Sequence, residues 1–195
     1  MQFGVNLLRL GIGTAIFMAC PVLAQARDAR ASKPQAPAVQ SVRFDDWFYR
    51  CANVKAAGGK DVQQCEVAQI AQVRQGDQNV NVLTLAIART APEAGKKASE
   101  SDLLLTALVP LNVVLPTGLG LGTGGKELAT IPYRNCNQAG CWAQQKLDAR
   151  MLDALRKGTS GEAHLRLMNG QNINLKFSLK GLAKALAELQ KPSKA

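Results

Sequence analysis

The chain has 195 residues, 47% of them hydrophobic and 19% charged, a composition that excludes a disordered chain and a protein built of membrane spans. The length fits one ordinary domain with additional segments and excludes two large domains. The formal net charge of +10 favours an anionic partner or a solvated basic surface, but Lys and Arg form no run of five or six, which argues against specific nucleic-acid binding.

Residues 1–26 have the three parts of a secretory signal peptide. Arg9 stands in a short n-region, the apolar stretch Leu10–Ala19 follows, and Ala24-Gln25-Ala26 supplies small residues for cleavage, which we expect after Ala26. The apolar stretch is about half the length of roughly twenty residues that a spanning helix needs. We therefore expect an exported chain with no transmembrane span after cleavage.

A second interpretation makes Cys20 the lipidated cysteine of a lipoprotein. Phe17 and Pro21 fit a lipoprotein cleavage box poorly. The cysteine count also argues against it, because loss of Cys20 leaves an even set suited to two disulfides in an oxidising compartment. That set is Cys51, Cys65, Cys136 and Cys141.

Four cysteines permit three disulfide connectivities, and the sequence leaves them open. Local pairing is favoured. Cys51 and Cys65 stand at the inner ends of two strand-like runs joined by a loop rich in Gly, Ala and Lys, and Cys136 and Cys141 flank a turn-like tetrapeptide. Closing these two rings would stabilise the fold by roughly 3 and roughly 2 kcal/mol.

The N-terminal part of the mature chain is predicted to differ from the domain that follows it. Residues 27–40 are rich in Ala and Pro without periodicity, as in a flexible segment, and the domain is predicted to cover residues 41–190. Phe44–Cys51 is predicted to be a strand in which Trp47, Tyr49 and Cys51 share one face. Trp47 is then a core anchor beside a disulfide.

The middle of the chain is predicted to be mainly β. A turn at Gln75–Gln78 joins the predicted strands Cys65–Gln72 and Asn79–Arg89 into a β-meander. A polar loop at residues 91–102 precedes the next predicted strand, which begins at Leu103. The predicted strands are Cys65–Gln72, Asn79–Arg89, Leu103–Leu115 with a break at Pro110, Glu127–Asn135 and Trp142–Leu147.

Two helices are predicted near the C-terminus, one before the last hairpin and one after it. The first follows Asp148, whose side chain can cap it, and ends at Gly158. The second is Ser178–Leu189. Their apolar faces are Met151, Leu152 and Leu155 in the first helix and Leu182, Leu186 and Leu189 in the second.

The hairpin between these helices permits a prediction of register. A two-residue turn at Asn169-Gly170 would set apolar residues against polar ones on a shared face. A three-residue loop, Asn169–Gln171, avoids this, and we predict it with a G1-bulge type of turn. The predicted pairs are Leu167 with Ile173, Leu165 with Leu175, and Ala163 with Phe177.

The glycine-rich run Gly118–Lys126 contains a dinucleotide-binding pattern starting at Gly120 and a near match to a phosphate-binding loop. Glu127 stands where that loop needs Ser or Thr for magnesium and would repel phosphate. Pro132 prevents the long helix whose N-terminus would hold a pyrophosphate. We therefore predict no nucleotide site.

Other catalytic and metal chemistries are also disfavoured. His164 is the only histidine and lies in the predicted last hairpin, opposite the face of Leu165, where a solvated imidazole is expected. Asp45 and Asp46 are adjacent and would point to opposite faces of a strand. The cysteine spacings match neither a zinc site nor a thioredoxin-like motif. We predict no enzyme, no metal and no cofactor.

An ordered set of motifs runs between residues 41 and 190. The motifs are Phe44-Asp-Asp-Trp-Phe-Tyr-Arg-Cys51, Cys65-Glu-Val67, Leu115-Pro-Thr-Gly-Leu119, Pro132-Tyr-Arg-Asn-Cys136 through Gly140-Cys-Trp-Ala143, and Phe177-Ser-Leu-Lys-Gly181 through Ala185-Leu186. Together they resemble the invasion-associated locus B family. The resemblance implies an immunoglobulin-like β-sandwich, secreted or periplasmic, in a family named for a member linked to host-cell invasion and without established enzymatic chemistry. Gly122–Gly125 departs from the family pattern, in which a more regular apolar strand is expected.

These observations lead to a first hypothesis about function. We expect an exported, non-enzymatic envelope module that uses its basic surface or a sheet edge to bind an anionic envelope or host-surface component, or an envelope protein. Its expected location is the periplasm, the medium or the outer membrane. The alternative is a structural or stress-related periplasmic protein without a role at the host, and a hydrolase or redox enzyme with an unrecognised site ranks third.

Overall fold

The computed structural model describes residues 40–55, 58–91 and 102–191. The predicted signal peptide, Cys20, almost all of the N-terminal segment and most of the polar loop at residues 91–102 therefore lie outside the described residues. None of the described helices is long and apolar enough to cross a membrane.

The described chain forms a β-sandwich of two antiparallel sheets and two short helices, which confirms the predicted fold class. In chain order the strands are β1 (Gln40–Phe44), β2 (Trp47–Lys55), β3 (Asp61–Gln75), β4 (Gln78–Arg89), β5 (Leu103–Val109), β6 (Leu119–Thr123), β7 (Lys126–Ile131), β8 (Tyr133–Asn137), β9 (Gly140–Lys146), β10 (Ser160–Arg166) and β11 (Asn172–Ser178). The helices are α1 (Ala149–Lys157) and α2 (Leu182–Leu189). The large sheet has the spatial order β1-β2-β3-β4-β5-β9-β8, and the small sheet has the order β11-β10-β6-β7.

The first predicted strand is in fact a hairpin. Asp45 and Asp46 form the turn between β1 and β2, and Asp45 adopts a φ of 51°, a left-handed conformation that Asp tolerates better than most residues. The prediction of one continuous strand was therefore wrong, because it overlooked the two turn-forming aspartates. The predicted face within β2 is confirmed, since Trp47 and Cys51 are both buried.

Two prolines mark the points at which the chain passes from one sheet to the other. Pro110 ends β5 of the large sheet, and Val113 then forms a bridge with Leu167 beside the small sheet. Pro132 separates β7 of the small sheet from β8 of the large one, so the predicted single strand Glu127–Asn135 is two strands. A proline lacks the N–H that a ladder requires, which explains why each strand ends there.

The last hairpin has the predicted type of turn but not the predicted register. Leu165 pairs with Ile173, two residues away from the predicted partner. The three-residue loop is Met168–Gly170, closed by a hydrogen bond of 2.8 Å from Leu167 N to Gln171 O. A G1-bulge turn places its glycine third in the loop, in the left-handed region, and Gly170 has a φ of 86°. The prediction placed Gly170 second.

Helix α1 has the predicted cap, and the predicted apolar faces of both helices point inward, although Leu152 is only half-buried. Asp148 caps α1 by accepting a hydrogen bond of 2.7 Å from the backbone N–H of Met151. The second helix begins later than predicted, because Ser178 is the last residue of β11 and Gly181, with a φ of 86°, turns the chain into α2. The buried face of α2 is Leu182, Ala185, Leu186 and Leu189. It packs against β1, β2 and β3 of the large sheet.

Candidate functional site

One end of β11 is tied to the large sheet by side chains. Gln69 of β3 is 7% exposed, and its amide donates to Asp46 O at 2.9 Å and accepts from Ser178 N at 3.1 Å. The indole N–H of Trp47, which is 1% exposed, donates to Ser178 O at 3.0 Å. These bonds satisfy both backbone groups of Ser178 that point away from β10. We call this arrangement of Trp47, Gln69 and Ser178 the closed corner.

The remainder of β11 is a free sheet edge. Residues of an antiparallel strand alternately direct their backbone groups toward and away from a given neighbour. Leu179 N donates to Thr159 O on the β10 side, so the even-numbered residues of β11 point away from β10. Within the described part of the chain, no group bonds the outward N–H and C=O of Asn172, Asn174 and Lys176. We call these three residues the open edge.

An apolar cavity of about 460 Å³ lies between the sheets near the open edge. Ile173 and Leu175 of β11 turn their side chains toward it, and Val82 of β4 lies on the opposite wall. At the rim, Met168 is 71% exposed. The cavity therefore presents apolar surface that the closed corner does not cover.

A second cavity, polar and also of about 460 Å³, lies on the outer face of the small sheet. Gly118, Gly120 and Gly122 occupy alternate positions along β6 and its entry, so three successive outward positions carry no side chain. The groove that results is floored by backbone, with Thr130 of β7 on one side and His164 of β10 on the other. We call it the glycine groove.

The charges of the glycine groove are unevenly distributed. Arg166 is exposed at one end, and its guanidinium forms no ion pair or hydrogen bond with the residues that the structure describes. Toward the other end, Glu127 accepts a hydrogen bond of 2.7 Å from Thr130, and Glu162 lies 3.6 Å from the Nε2 atom of His164. Among the described residues that line the groove, Arg166 is therefore the cation left for a ligand.

The predicted cysteine set is joined locally, in two cross-strand pairs. Cys51 of β2 faces Cys65 of β3, and Cys136 of β8 faces Cys141 of β9, with Cα–Cα distances of 4.0 and 4.1 Å. Both pairs belong to the large sheet, whereas the glycine groove lies on the small one. The disulfides therefore link strands and contribute no group to the glycine groove.

The glycine-rich run forms a hairpin. Gly124 and Gly125 have φ values of 58° and 72° and make the turn between β6 and β7. A nucleotide-binding fingerprint requires a helix after its glycines, and here β7 takes that place. The regular apolar strand expected at Gly122–Gly125 is also absent there, because β6 ends in a bulge at Leu121 and Gly122 before the turn.

Two buried polar side chains were not singled out from the sequence. Gln69 alternates with apolar residues just as exposed glutamines in strands do. Its burial is therefore evident only from the fold. The hydroxyl of Tyr133 is buried without a hydrogen bond to any described residue, and burial raises the pKa of this phenol from 10.0 to about 12. The described residues also contain no group of three His, Cys, Asp or Glu side chains close enough to hold a metal ion.

Comparisons with known proteins agree with this architecture. The sequence model of a family described as Invasion associated locus B (IalB) protein matches residues 47–190. Among solved structures, the crystal structure of invasion associated protein b from Bartonella henselae is similar, with a TM-score of 0.61 and 21% identity. That match covers 77% of this chain and 94% of the other, and at 21% identity it supports a shared fold and nothing more. No curated protein matches the chain.

Proposed function

The chain belongs to the invasion associated locus B family, and from this premise we propose that it is an exported, non-enzymatic envelope protein that binds an anionic saccharide. Export is supported by the signal-like pattern of residues 1–26 and by four cysteines joined in two disulfides, which persist in oxidising compartments such as the periplasm or the cell exterior. A non-enzymatic role is supported by membership of this family.

The observation that carries the proposal is the unpaired Arg166 at one end of the glycine groove. A guanidinium binds carboxylate, sulfate or phosphate through two parallel hydrogen bonds. The hydroxyl of Thr130, the imidazole of His164 and the amide of Asn174 add polar groups along the walls. A flat backbone floor between such walls accommodates sugar rings, and the net charge of +10 raises the local concentration of an anionic chain.

The test measures binding of the mature protein to a heparin oligosaccharide, used as a sulfated probe, at several salt concentrations. We expect an affinity that falls as salt rises, because released counterions contribute to binding of a polyanion. Arg166→Gln is expected to weaken binding about tenfold, the effect of losing a charge-assisted bidentate contact. Arg134→Gln removes the same charge from an exposed position on β8 and should change affinity less than about twofold.

A second variant tests the shape of the glycine groove. A Cβ at Gly120 would lie 3.1 Å from the Cβ of His164, closer than ordinary van der Waals contact, and Gly120 has no positive φ, so Ala is the substitution that fills the groove with the smallest displacement of its neighbour. Gly120→Ala should therefore weaken heparin binding, and its thermal midpoint shows whether the fold is kept. Equal losses of heparin affinity in Arg166→Gln and Arg134→Gln would contradict binding in the glycine groove. They would indicate that heparin binds through the basic surface as a whole. Salt-independent capture of a single envelope protein would favour the structural role instead.

A further inference from the structure

We propose that an extended, acidic segment of a partner protein adds to the open edge of β11 as a fifth strand of the small sheet. This site takes a different class of ligand from the glycine groove, which lies on the outer face of the small sheet and shares Asn172 and Asn174 with the open edge. Three features carry the inference: the unequal widths of the two sheets, the unbonded backbone of the open edge, and the chemistry of the side chains on either side of it.

The small sheet is too narrow to cover the large one. Four strands face seven, and α2 covers part of the excess by packing on β1, β2 and β3. Farther along β3, Val73 is on the same inner face as Gln69 and Ala71 by alternation, yet it is 45% exposed. A strand laid beside β11 would extend the small sheet over β3 and cover this valine.

The backbone of the open edge is prepared for such a strand. Asn172, Asn174 and Lys176 direct their N–H and C=O groups outward at every second residue, the spacing at which an antiparallel partner bonds. All strand pairs of both sheets are antiparallel, so we expect the same orientation for the added segment. At Ser178 the position of that partner is already taken by Gln69 and Trp47, which sets the limit of the added strand.

The side chains around the open edge specify what the segment contains. Its inward residues would lie beside Ile173 and Leu175 at the mouth of the apolar cavity, so they should be apolar. Its outward residues would lie beside the open edge, where Lys176, which has Glu162 as its neighbour on the β10 side, favours an acidic neighbour on the other side as well. A second copy of this chain is disfavoured as the occupant, because a net charge of +10 on each molecule opposes their approach.

The test uses a synthetic peptide of alternating Val and Glu, titrated into the mature protein and followed by backbone amide NMR. We expect saturable binding and slowed hydrogen exchange at the amides of Asn172, Asn174 and Lys176. A peptide of the same composition with its valines in one block should not bind, because it cannot put apolar residues on a single face.

N-methylated peptides show whether the backbone carries the interaction. In an antiparallel pair the Glu residues direct their N–H groups at β11, so N-methylation of the Glu residues should abolish binding and N-methylation of the Val residues should spare it. The reverse result would indicate a parallel strand. Binding that survives both modifications would overturn the proposal, and so would a concentration-dependent dimer whose formation the peptide blocks.

Two substitutions at one position provide the matched variants. Lys176→Pro removes an outward N–H without touching the bonds between β10 and β11 and should weaken peptide binding about tenfold. Lys176→Ala keeps that N–H and should cost about twofold. If Lys176→Pro does not fold, as its thermal midpoint would show, the N-methylated peptides still decide. Arg166→Gln, on β10 and therefore two strands away from the added segment, should change peptide binding less than about twofold while it weakens heparin binding about tenfold, so the two proposals fail independently.

Discussion

The two ends of β11 show how the same strand can be closed at one end and open at the other. At the closed corner, Gln69 and Trp47 bond both outward backbone groups of Ser178. At the open edge, the same kinds of groups on Asn172, Asn174 and Lys176 meet no partner among the described residues. At Ser178, side chains of the large sheet take the place of a neighbouring strand. The edge of β11 is available to a partner where these side chains no longer reach it.

The largest expected effect comes from breaking the closed corner at Trp47. Trp47→Ala removes a buried indole and leaves Ser178 O without its donor, and should lower the free energy of unfolding by about 4 kcal/mol. Phe48→Ala is the matched control, because Phe48 lies on the opposite face of β2 and is 41% exposed. We expect it to cost about 1 kcal/mol or less in urea denaturation. Equal costs would show that Trp47 is not an anchor.

Gln69→Leu breaks the closed corner through its hydrogen bonds. It preserves volume but leaves the partly buried Ser178 N and Asp46 O without their Gln69 partner, so we expect a loss of about 2 kcal/mol. The amide of Ser178 should then exchange with solvent as fast as those of the open edge. Gln72→Leu, at an exposed position of the same strand, should cost no more than about 0.5 kcal/mol.

Tyr133 contrasts with Gln69, because its hydroxyl is buried without a hydrogen bond to a described residue, whereas the buried Gln69 amide is hydrogen-bonded. Tyr133→Phe should therefore be neutral, or stabilise the fold by up to about 1 kcal/mol. The unfolded chain ionises this phenol near its pKa of 10.0, whereas the folded chain retains the proton up to a pKa of about 12. Stability from this residue is thus complete below pH 10 and is lost as pH rises toward 12.

Denaturation series at pH 9 and pH 11 measure this contribution. Tyr133→Phe should lose less stability than the wild type over that interval, because it lacks the phenol whose pKa is raised by burial. Parallel declines of wild type and Tyr133→Phe would contradict a buried phenol at this position.

The smallest effect is expected at the rim of the apolar cavity near the open edge. Met168 is 71% exposed, so Met168→Ser should change the free energy of unfolding by no more than about 0.5 kcal/mol. The same variant should weaken binding of the Val–Glu peptide if the added strand reaches the cavity. A large loss of stability would instead mean that this end of the hairpin is as tightly packed as the closed corner.

Most residues of the candidate site can be found in the sequence, but their function cannot be inferred from it. Glycines at the alternate positions 118, 120 and 122 indicate a strand without side chains on one face. The same glycine-rich run also matches a dinucleotide-binding pattern. Whether Arg166 is paired depends on which acidic side chains lie across the sheet, and that depends on contacts between β10, β6 and β7. Such contacts join residues far apart in the chain, beyond the reach of periodicity.

Features that depend on residues close together in the chain follow from the sequence. These are the period of two that buries Trp47 with Cys51, the cap at Asp148, and a glycine turn for the last hairpin. Tertiary structure alone decided the sheet to which each strand belongs after Pro110 and Pro132, and which edge stays open. The physical reason is range: propensities, caps and turns act over a few residues, whereas pairing and burial are settled by packing between segments distant in sequence.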